Sequence, residues 1–483
     1  MNQFLRKTAA LFLSAALTAS LLAVPAAASH ALGEDLSQSD TLVSESTTLS
    51  TNVFWSTSKS DLRRENLITY SPNRFVTPMV TYGSALTSRT TVGSMAKSLE
   101  SQGYRVVAGI NGDFYDTSSG VPVGLVVTDG QVRTSDGGCY AIGFRDDGTA
   151  VLGKPSVAVW ADLGYTVYDE AGQGTEAGVS IAGINKVRSS TSGVFLYTYD
   201  FNAKHTTGTS MPGVDVVCTI EEGSLSIGGT LKLRVEQVLH DSSATPIGQN
   251  QVVLSVNNSV GGSPVNLLSN VPEGSAITIS LTAKNAEWNH VTYAIGALYS
   301  LLDNGSVVSG LPSGTHPRTA VGQKADGTLV FYTIDGRQSG LSIGATMYQL
   351  AERMAELGCV SALCLDGGGS TTLTVTRPDS TQASTVNSPS DGGQRAVSNH
   401  LFLVSTSEPS GQLDHFYVAP ENSSVLAGSR VKLSVSPVDT HYIPMSVNSY
   451  SLTASGGEIT DNVLTTPVSG GDITVTASSG SKS

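Results

Sequence analysis

The segment Cys364-Leu365-Asp366-Gly367-Gly368-Gly369-Ser370-Thr371-Thr372-Leu373 constrains this chain more than any other. The apolar run Val360 to Leu365 leads into one carboxylate, then three glycines, three hydroxyl residues and the alternating Leu373-Thr374-Val375. This order predicts a buried strand, a tight loop and a second strand. Glycines let backbone N–H groups turn toward a ligand where a Cβ would obstruct them. The hydroxyls add hydrogen bonds to ligand oxygens. An acid beside such a loop suits a charged, oxygen-rich substrate. From the loop alone, a plain glycine hairpin with a chance Asp reads equally well. A nucleotide P-loop is excluded, because the Gly-Lys-Ser/Thr and the following helix are missing.

At 483 residues the chain has room for two or three domains. Charged residues make up only 14%, and Gly, Ser and Thr are abundant, which favours β structure and loops over helical bundles. The formal net charge of −13 argues against nucleic-acid binding, which wants a basic patch. An anionic substrate would then need locally placed arginines.

Met1 to Ala28 reads as a secretory signal, with Arg6 and Lys7 as the basic region, Leu11 to Val24 as the apolar region and cleavage after Ala28. The apolar run is short for a membrane span. The expectation is an exported protein, extracellular or cell-wall associated, with no stable membrane span after cleavage. Export permits disulfides, yet the spacing of Cys139, Cys218, Cys359 and Cys364 matches no common zinc pattern and does not choose among three pairings. For Cys364 a buried thiol is the simpler reading.

Residues 29–45 are polar and read as a flexible leader. A helix is expected over Val92 to Gln102, ended by Gly103, and a buried strand over Tyr104 to Ile110. That strand runs into Asn111-Gly112-Asp113-Phe114-Tyr115-Asp116, a polar loop where open sheets often bind ligands. Residues 121–160 read as a β meander, and β signals continue from 156 to 290 without a catalytic motif. A second helix is expected over Met347 to Leu357, with Thr346 and Gln349 as a capping box and Gly358 as its stop.

Two echoes recur. Gly103 and Asn111 are spaced like Gly358 and Asp366, and Ala141 to Thr149 resembles Ala320 to Thr328. They suggest pseudo-symmetry that brings both polar loops to one rim, with chance as the competing reading.

Past Val404 the character changes. Residues 405–412 form a polar linker, and 413–483 show short alternating strands that predict a small Ig-like β-sandwich, incomplete at its last strand. The catalytic part, 46–404, reads as an α+β (mixed α/β) domain, rich in β, with a few helices packed on the sheet.

Polar loops thus terminate apolar strands at Asn111/Asp113/Asp116, at His316/Arg318/Thr319, at Asp335/Arg337 and at Asp366/Ser370, with a fifth at Arg395 to His400. Singly, each has a bland reading: Asp-Gly is a turn, and a lone His316 is more often structural. Jointly, Ile110-Asn111-Gly112-Asp113-Phe114, Pro122-Val123-Gly124, His316-Pro317-Arg318-Thr319-Ala320-Val321-Gly322, Thr333-Ile334-Asp335-Gly336-Arg337, Leu365 to Ser370 and Val397-Ser398-Asn399-His400 resemble the phosphodiester glycosidase family over about 75–404. Ile295-Gly296-Ala297 departs from it, where relatives carry a second glycine, and 156–290 matches less clearly.

The resemblance implies cleavage between a sugar anomeric carbon and a phosphodiester oxygen. It implies catalytic carboxylates among Asp366, Asp335 and Asp113. Substrate or phosphate would be bound by Asn111, Gly112, His316, Arg318, Thr319, Arg337, Gly367, Gly368, Gly369, Ser370 and Asn399. Arginines clamp phosphates bidentately, and a carboxylate opposite would stabilise oxocarbenium character or act as nucleophile or base. No cofactor is firmly expected; Asp113, Asp335 and Asp366 are the candidate ligands should a divalent cation, Ca or Mg, bridge the phosphate. The expected partner is a carbohydrate phosphodiester such as a cell-wall polymer or exopolysaccharide. The competing readings are a metal-dependent phosphodiesterase at the same site and a non-catalytic wall-binding or adhesive protein.

Overall fold

The computed structural model describes residues 30–483, so the export signal read at 1–28 lies outside the described residues. An eight-stranded sheet runs in the order Glu34–Ser44, Thr47–Ser56, Asp61–Tyr70, Leu329–Ile334, Arg318–Lys324, Cys359–Cys364, Tyr299–Asp303, Ser306–Val307, every neighbouring pair antiparallel. A five-stranded sheet carries Ser384–Thr385, Leu373–Val375, Arg105–Asn111, Asn399–Ser405 and Thr77–Tyr82. A second five-stranded sheet carries Gln131–Thr134, Val126–Thr128, Tyr293–Ala297, Tyr140–Phe144 and Ala150–Gly153.

These three sheets share one apolar core, in which Ile68 and Phe331, Ile110 and Leu401, and Ile142 and Ile295 meet. The last sheet is buried on both faces, and period-2 alternation tells its faces apart. Val126, Ile142 and Ile295 point into the shared core, while Val127, Ala141 and Ala294 point into a second core on the other side.

That second core belongs to a closed seven-stranded barrel formed from Val157–Tyr168, Gly174–Ile184, Val194–Thr198, Gln251–Asn257, Gly213–Gly223, Thr230–Ser242 and Ala276–Ala283. In Thr230–Ser242, Leu231, Leu233 and Val235 are buried while Lys232, Arg234 and Glu236 are exposed. This alternation is the pattern that closure of a small barrel requires.

The expected α+β domain with helices packed on a sheet is therefore overturned. Of the described residues 48% are strand and 9% helix, so the layers are sheets on sheets plus a barrel. The two expected helices exist but only flank these layers. Val92–Ser101 buries Val92, Ala96 and Leu99 beside Phe402, and Met347–Glu356 buries Met347, Leu350 and Met354 beside Tyr332. The Thr346/Gln349 capping box forms as expected. Strand signals over 156–290 were visible, but barrel closure depends on long-range register, which local patterns do not carry.

A second difference concerns residues 29–45. Glu34–Ser44 is an edge strand paired from Glu34↔Trp55 to Ser44↔Thr47, not a flexible leader. Its polar side chains are what an exposed edge strand wants. Beyond the linker, residues 413–483 form a four-stranded and a two-stranded sheet around Val431, Leu433 and Leu464. All four cysteines are free thiols, with Cys218, Cys359 and Cys364 buried. No helix among the described residues is long and apolar enough to cross a membrane.

Candidate active site

The Asp366 loop is the crossover between two sheets. Cys359–Cys364 belongs to the eight-stranded sheet, and Leu373–Val375 pairs with Arg105–Asn111 in the five-stranded one. The loop is pinned where the sheets meet: the Asp366 N–H donates to Gly112 O at 3.0 Å, and Asn111 Nδ2 donates to Asp366 O at 2.6 Å. The two polar loops that echo each other in sequence thus touch at one rim. The Asp366 side chain is half-buried and accepts the Gly367 N–H at 2.9 Å. Burial pushes its pKa up, and the Ser370 hydroxyl and the Gly367 N–H pull it part of the way back.

Two of the glycines have specific reasons. Gly368 sits at φ +63°, and a Cβ there would lie 3.1 Å from an Arg337 guanidinium nitrogen. A Cβ on Gly369 would overlap the Asp391 carboxylate and the Arg395 guanidinium, which are themselves paired at 2.7 Å. The loop is bare so that three charged side chains can lie against its backbone.

One flank of the loop is cationic. Arg318 is half-buried, its Nε donating to Ala345 O at 3.2 Å and its Nη2 to Gly314 O at 2.7 Å. Exposed Arg337 holds a left-handed backbone at φ +61° and donates from Nη2 to His316 Nδ1 at 3.3 Å. Burial lowers the His316 pKa, and Arg318 and Arg337 lower it further, which keeps the imidazole neutral as an acceptor. The Arg318 pKa is lowered first by burial and also by Arg337. Two guanidiniums that disfavour each other favour an anion between them.

The other side is acidic and buried. Asn111 is fully buried and saturated, its Oδ1 accepting Thr319 Oγ1 at 2.8 Å and the Thr372 N–H at 3.1 Å. Asn399 Oδ1 accepts the Asp113 N–H at 2.8 Å, and Asn399 O accepts the Gly112 N–H at 3.0 Å. Asn111, Gly112, Thr319 and Asn399 are thus placed as braces beneath the rim. Asp113 is 1% exposed. Its Oδ2 accepts the Gly124 N–H at 2.6 Å, while its Oδ1 has no partner. Burial pushes its pKa up to about 7, with the Gly124 N–H and Lys186 acting against the rise and Asp366 adding to it. Gly296, in the segment that departs from the family pattern, lies flush against this carboxylate, since a Cβ there would sit 2.5 Å from Oδ2.

Asp335 has a different set of partners. Its Oδ1 accepts Asn387 Nδ2 and the Ser388 N–H, each at 2.9 Å, so it braces the loop after Leu373–Val375. Burial pushes its pKa up to about 6. Among the described residues no three His, Cys, Asp or Glu side chains converge on a metal-sized space, so Asp113, Asp335 and Asp366 are not brought together as a ligand set.

Two residues at this rim escaped the sequence reading, Lys186 and Asp391. Lys186 comes from the loop after barrel strand Gly174–Ile184, and no motif marks it. Asp391 pairs at 2.7 Å with Arg395, the residue that opens the fifth polar loop. His400, quoted in a motif, is buried and donates from Nε2 to Thr90 O at 3.0 Å; burial lowers its pKa to about 4, marking it as structural.

Comparison with known proteins bears on this geometry. Residues 230–404 match a family model described as phosphodiester glycosidase. The matched stretch holds His316, Arg318, Asp335, Arg337 and the Asp366 loop, but not Asn111 to Asp113. The SPbeta prophage-derived uncharacterized protein YomE of Bacillus subtilis (strain 168) is 43% identical over 88 residues, 18% of this chain and 13% of that protein. A hypothetical protein from Synechocystis superposes with a TM-score of 0.59 at 17% identity, covering 77% of this chain and 64% of that one. A putative exported protein from Burkholderia pseudomallei K96243 superposes with a TM-score of 0.52 at 20% identity, covering 71% of this chain and 74% of that one. At such identities the two structures show the shared fold. Over residues 230–404 the chain matches the family that its strand-end motifs resemble, the phosphodiester glycosidases.

Proposed function

We propose that this protein is a secreted glycoside hydrolase that cleaves the sugar C1–O–phosphate bond of a sugar-1-phosphodiester, of the N-acetylglucosamine-1-phosphodiester kind, in a cell-surface or extracellular glycopolymer. The observation that carries the reading is the juxtaposition of Arg318 and Arg337 with the Gly367–Ser370 loop, beside the half-buried Asp366. The leaving group is a phosphate monoester, so charge stabilisation matters more than strong acid help. Arg318 and Arg337 hold the phosphate oxygens. The N–H groups of Gly367, Gly368 and Ser370 are taken by Asp366 Oδ1, Pro317 O and Gly367 O, so the Gly369 N–H is the loop donor left for the phosphate, and its fixed position avoids reorganisation during reaction. Asp366 lies against this pocket and supplies the carboxylate that meets developing positive charge at C1. Buried Asp113 lies behind it as a second carboxyl whose proton is held near neutral pH. Half-buried Phe114 and Tyr299 meet edge to face at 6.1 Å near this end and offer an apolar wall for the sugar ring. The module at 413–483 is proposed as an Ig-like tail that holds the enzyme near its polymer.

The test is turnover of α-sugar-1-phosphodiesters in ¹⁸O-labelled water. Label in the released sugar supports the glycosidase. Label in the phosphate overturns it in favour of a phosphodiesterase, and binding without turnover favours a wall-binding protein. Asp366→Asn and Arg318→Ala are each expected to lower kcat/KM by about 10²–10³-fold. Full activity in both folded variants would remove the site assignment.

A further inference from the structure

Lys186 is the unexplained charge of this site. Its ammonium donates to three consecutive carbonyls, Pro122 O at 2.7 Å, Val123 O at 2.8 Å and Gly124 O at 3.1 Å. Gly124 O also accepts Thr134 Oγ1 at 2.8 Å, so this peptide is pinned from two sides. The N–H of the same Gly124 is the donor that holds Asp113 Oδ2 at 2.6 Å. A Cβ at Gly124 would lie 2.8 Å from Gly296 Cα and 2.9 Å from Asp113 Oδ2, so the peptide has little room to move away. The chain of contacts therefore runs from a barrel loop through one backbone turn to a buried acid of the rim. An ammonium takes three donors' worth of hydrogen bonds and no acceptor, and three carbonyls use them fully without neutralising its charge. The compensating charge nearby is Asp113.

We infer that Lys186 is a positioning residue: it clamps the 122–124 turn so that Gly124 holds Asp113, and its charge sets the protonation of Asp113 behind Asp366. The barrel thereby contributes to the reaction although its strands carry no catalytic motif. The other titratable groups facing the pair are Asp366 on the Asp113 side, and Cys139 and Asp136 on the Lys186 side, with Lys154 facing Cys139. The inference rests on the proposed reaction only for its catalytic consequence. The clamp of Lys186 on the 122–124 turn, and of Gly124 on Asp113, stands on its own.

The experiment is a pH series of denaturant unfolding on the wild type, Lys186→Met, Asp113→Asn and the double variant. Asp113 has its pKa raised to about 7 in the folded protein, so the native state keeps a proton that the unfolded state releases. Its contribution to stability is present at low pH and falls as pH rises from about 4 to about 7. Lys186→Met removes the cation that opposes this rise. The fall should deepen and extend past pH 7, while Asp113→Asn and the double variant should lack it. An equal, pH-independent loss from Lys186→Met in both backgrounds would reduce Lys186 to a structural anchor and overturn the inference. Should Lys186→Met not fold, Lys186→Arg keeps the charge and donors, and the ¹³C titration of the Asp113 carboxyl should then stay within about one pH unit of the wild type; a larger shift overturns the inference. In turnover assays the alkaline limb for Lys186→Met should move up by about one pH unit with KM unchanged. A wild type inert toward every sugar phosphodiester would defeat the proposed function and leave the unfolding result to stand or fall separately.

Discussion

Asp113 and Asp335 invite comparison, because sequence gives them the same character and the structure gives them different work. Each follows a buried strand, each is about 1% exposed, and each has one carboxylate oxygen bound and the other buried without a partner. Burial raises both, to about 7 and about 6. They differ in what surrounds them. Asp113 lies between Lys186 and Asp366, at the rim where two sheets hand over the glycine loop. Asp335 faces Asn387 and Ser388 and ties down a loop. A strand-end carboxylate with a raised pKa marks a candidate site, yet a buried brace produces the same shift. The neighbours that would touch a substrate decide between the two.

The comparison can be broken by activity. Asp366→Asn is expected to lose about 10²–10³-fold in kcat/KM, with Asp335→Asn remaining within about tenfold of wild type. Comparable losses would return Asp335 to the reaction. Arg337→Ala should raise KM by about 10–100-fold, the cost of about 1.5–3 kcal/mol of charge-assisted hydrogen bonding, and steady-state kinetics on the same phosphodiester measures it. An unchanged KM would detach Arg337 from the phosphate.

Stability sharpens the same contrast. With its folded pKa near 6 against an ordinary 3.8, Asp335 stays protonated in the native state at pH values where the unfolded chain has released the proton. Stability is therefore lost as pH rises through about 4 to 6, by up to about 3 kcal/mol. Asp335→Asn should remove that fall, read as the slope of unfolding free energy against pH, and an unchanged slope would contradict the burial argument. His400 acts in the opposite sense. Its folded pKa, near 4, lies below the usual 6.5, so its contribution is intact above pH 6.5 and fades as pH falls toward 4. His400→Gln is expected to flatten that limb by about 1–3 kcal/mol in the same titration.

Much of the rim was legible in advance because its signals are local. Asp366 and its glycines, the arginines at 318 and 337, and the capping box at Thr346 and Gln349 are written into short stretches. The matching turns Asp147-Gly148-Thr149 and Asp326-Gly327-Thr328 are also local, each closed by an Asp Oδ1 accepting a Thr N–H at 2.9 Å. The braces read differently from their motif. Asn111, Thr319 and Asn399 make hydrogen bonds to Asp366 O, to one another and to the Asp113 N–H, while Asn399 Nδ2 is buried without a partner. Polar residues in a strand-end motif do not reveal which way they face.

The sequence by itself determined the strand-and-loop grammar, the clustering of acid and arginine at strand ends, and the family resemblance, because turns, capping and alternation act over a few residues. Only the tertiary structure decided that residues 157–283 close into a barrel, that Glu34–Ser44 is an edge strand, and that Lys186 reaches the Gly124 turn beneath Asp113. It alone decided that Asp335 binds Asn387 and Ser388. Those outcomes follow from register and packing between segments far apart in the chain, where burial and neighbouring charge set the behaviour of each carboxylate.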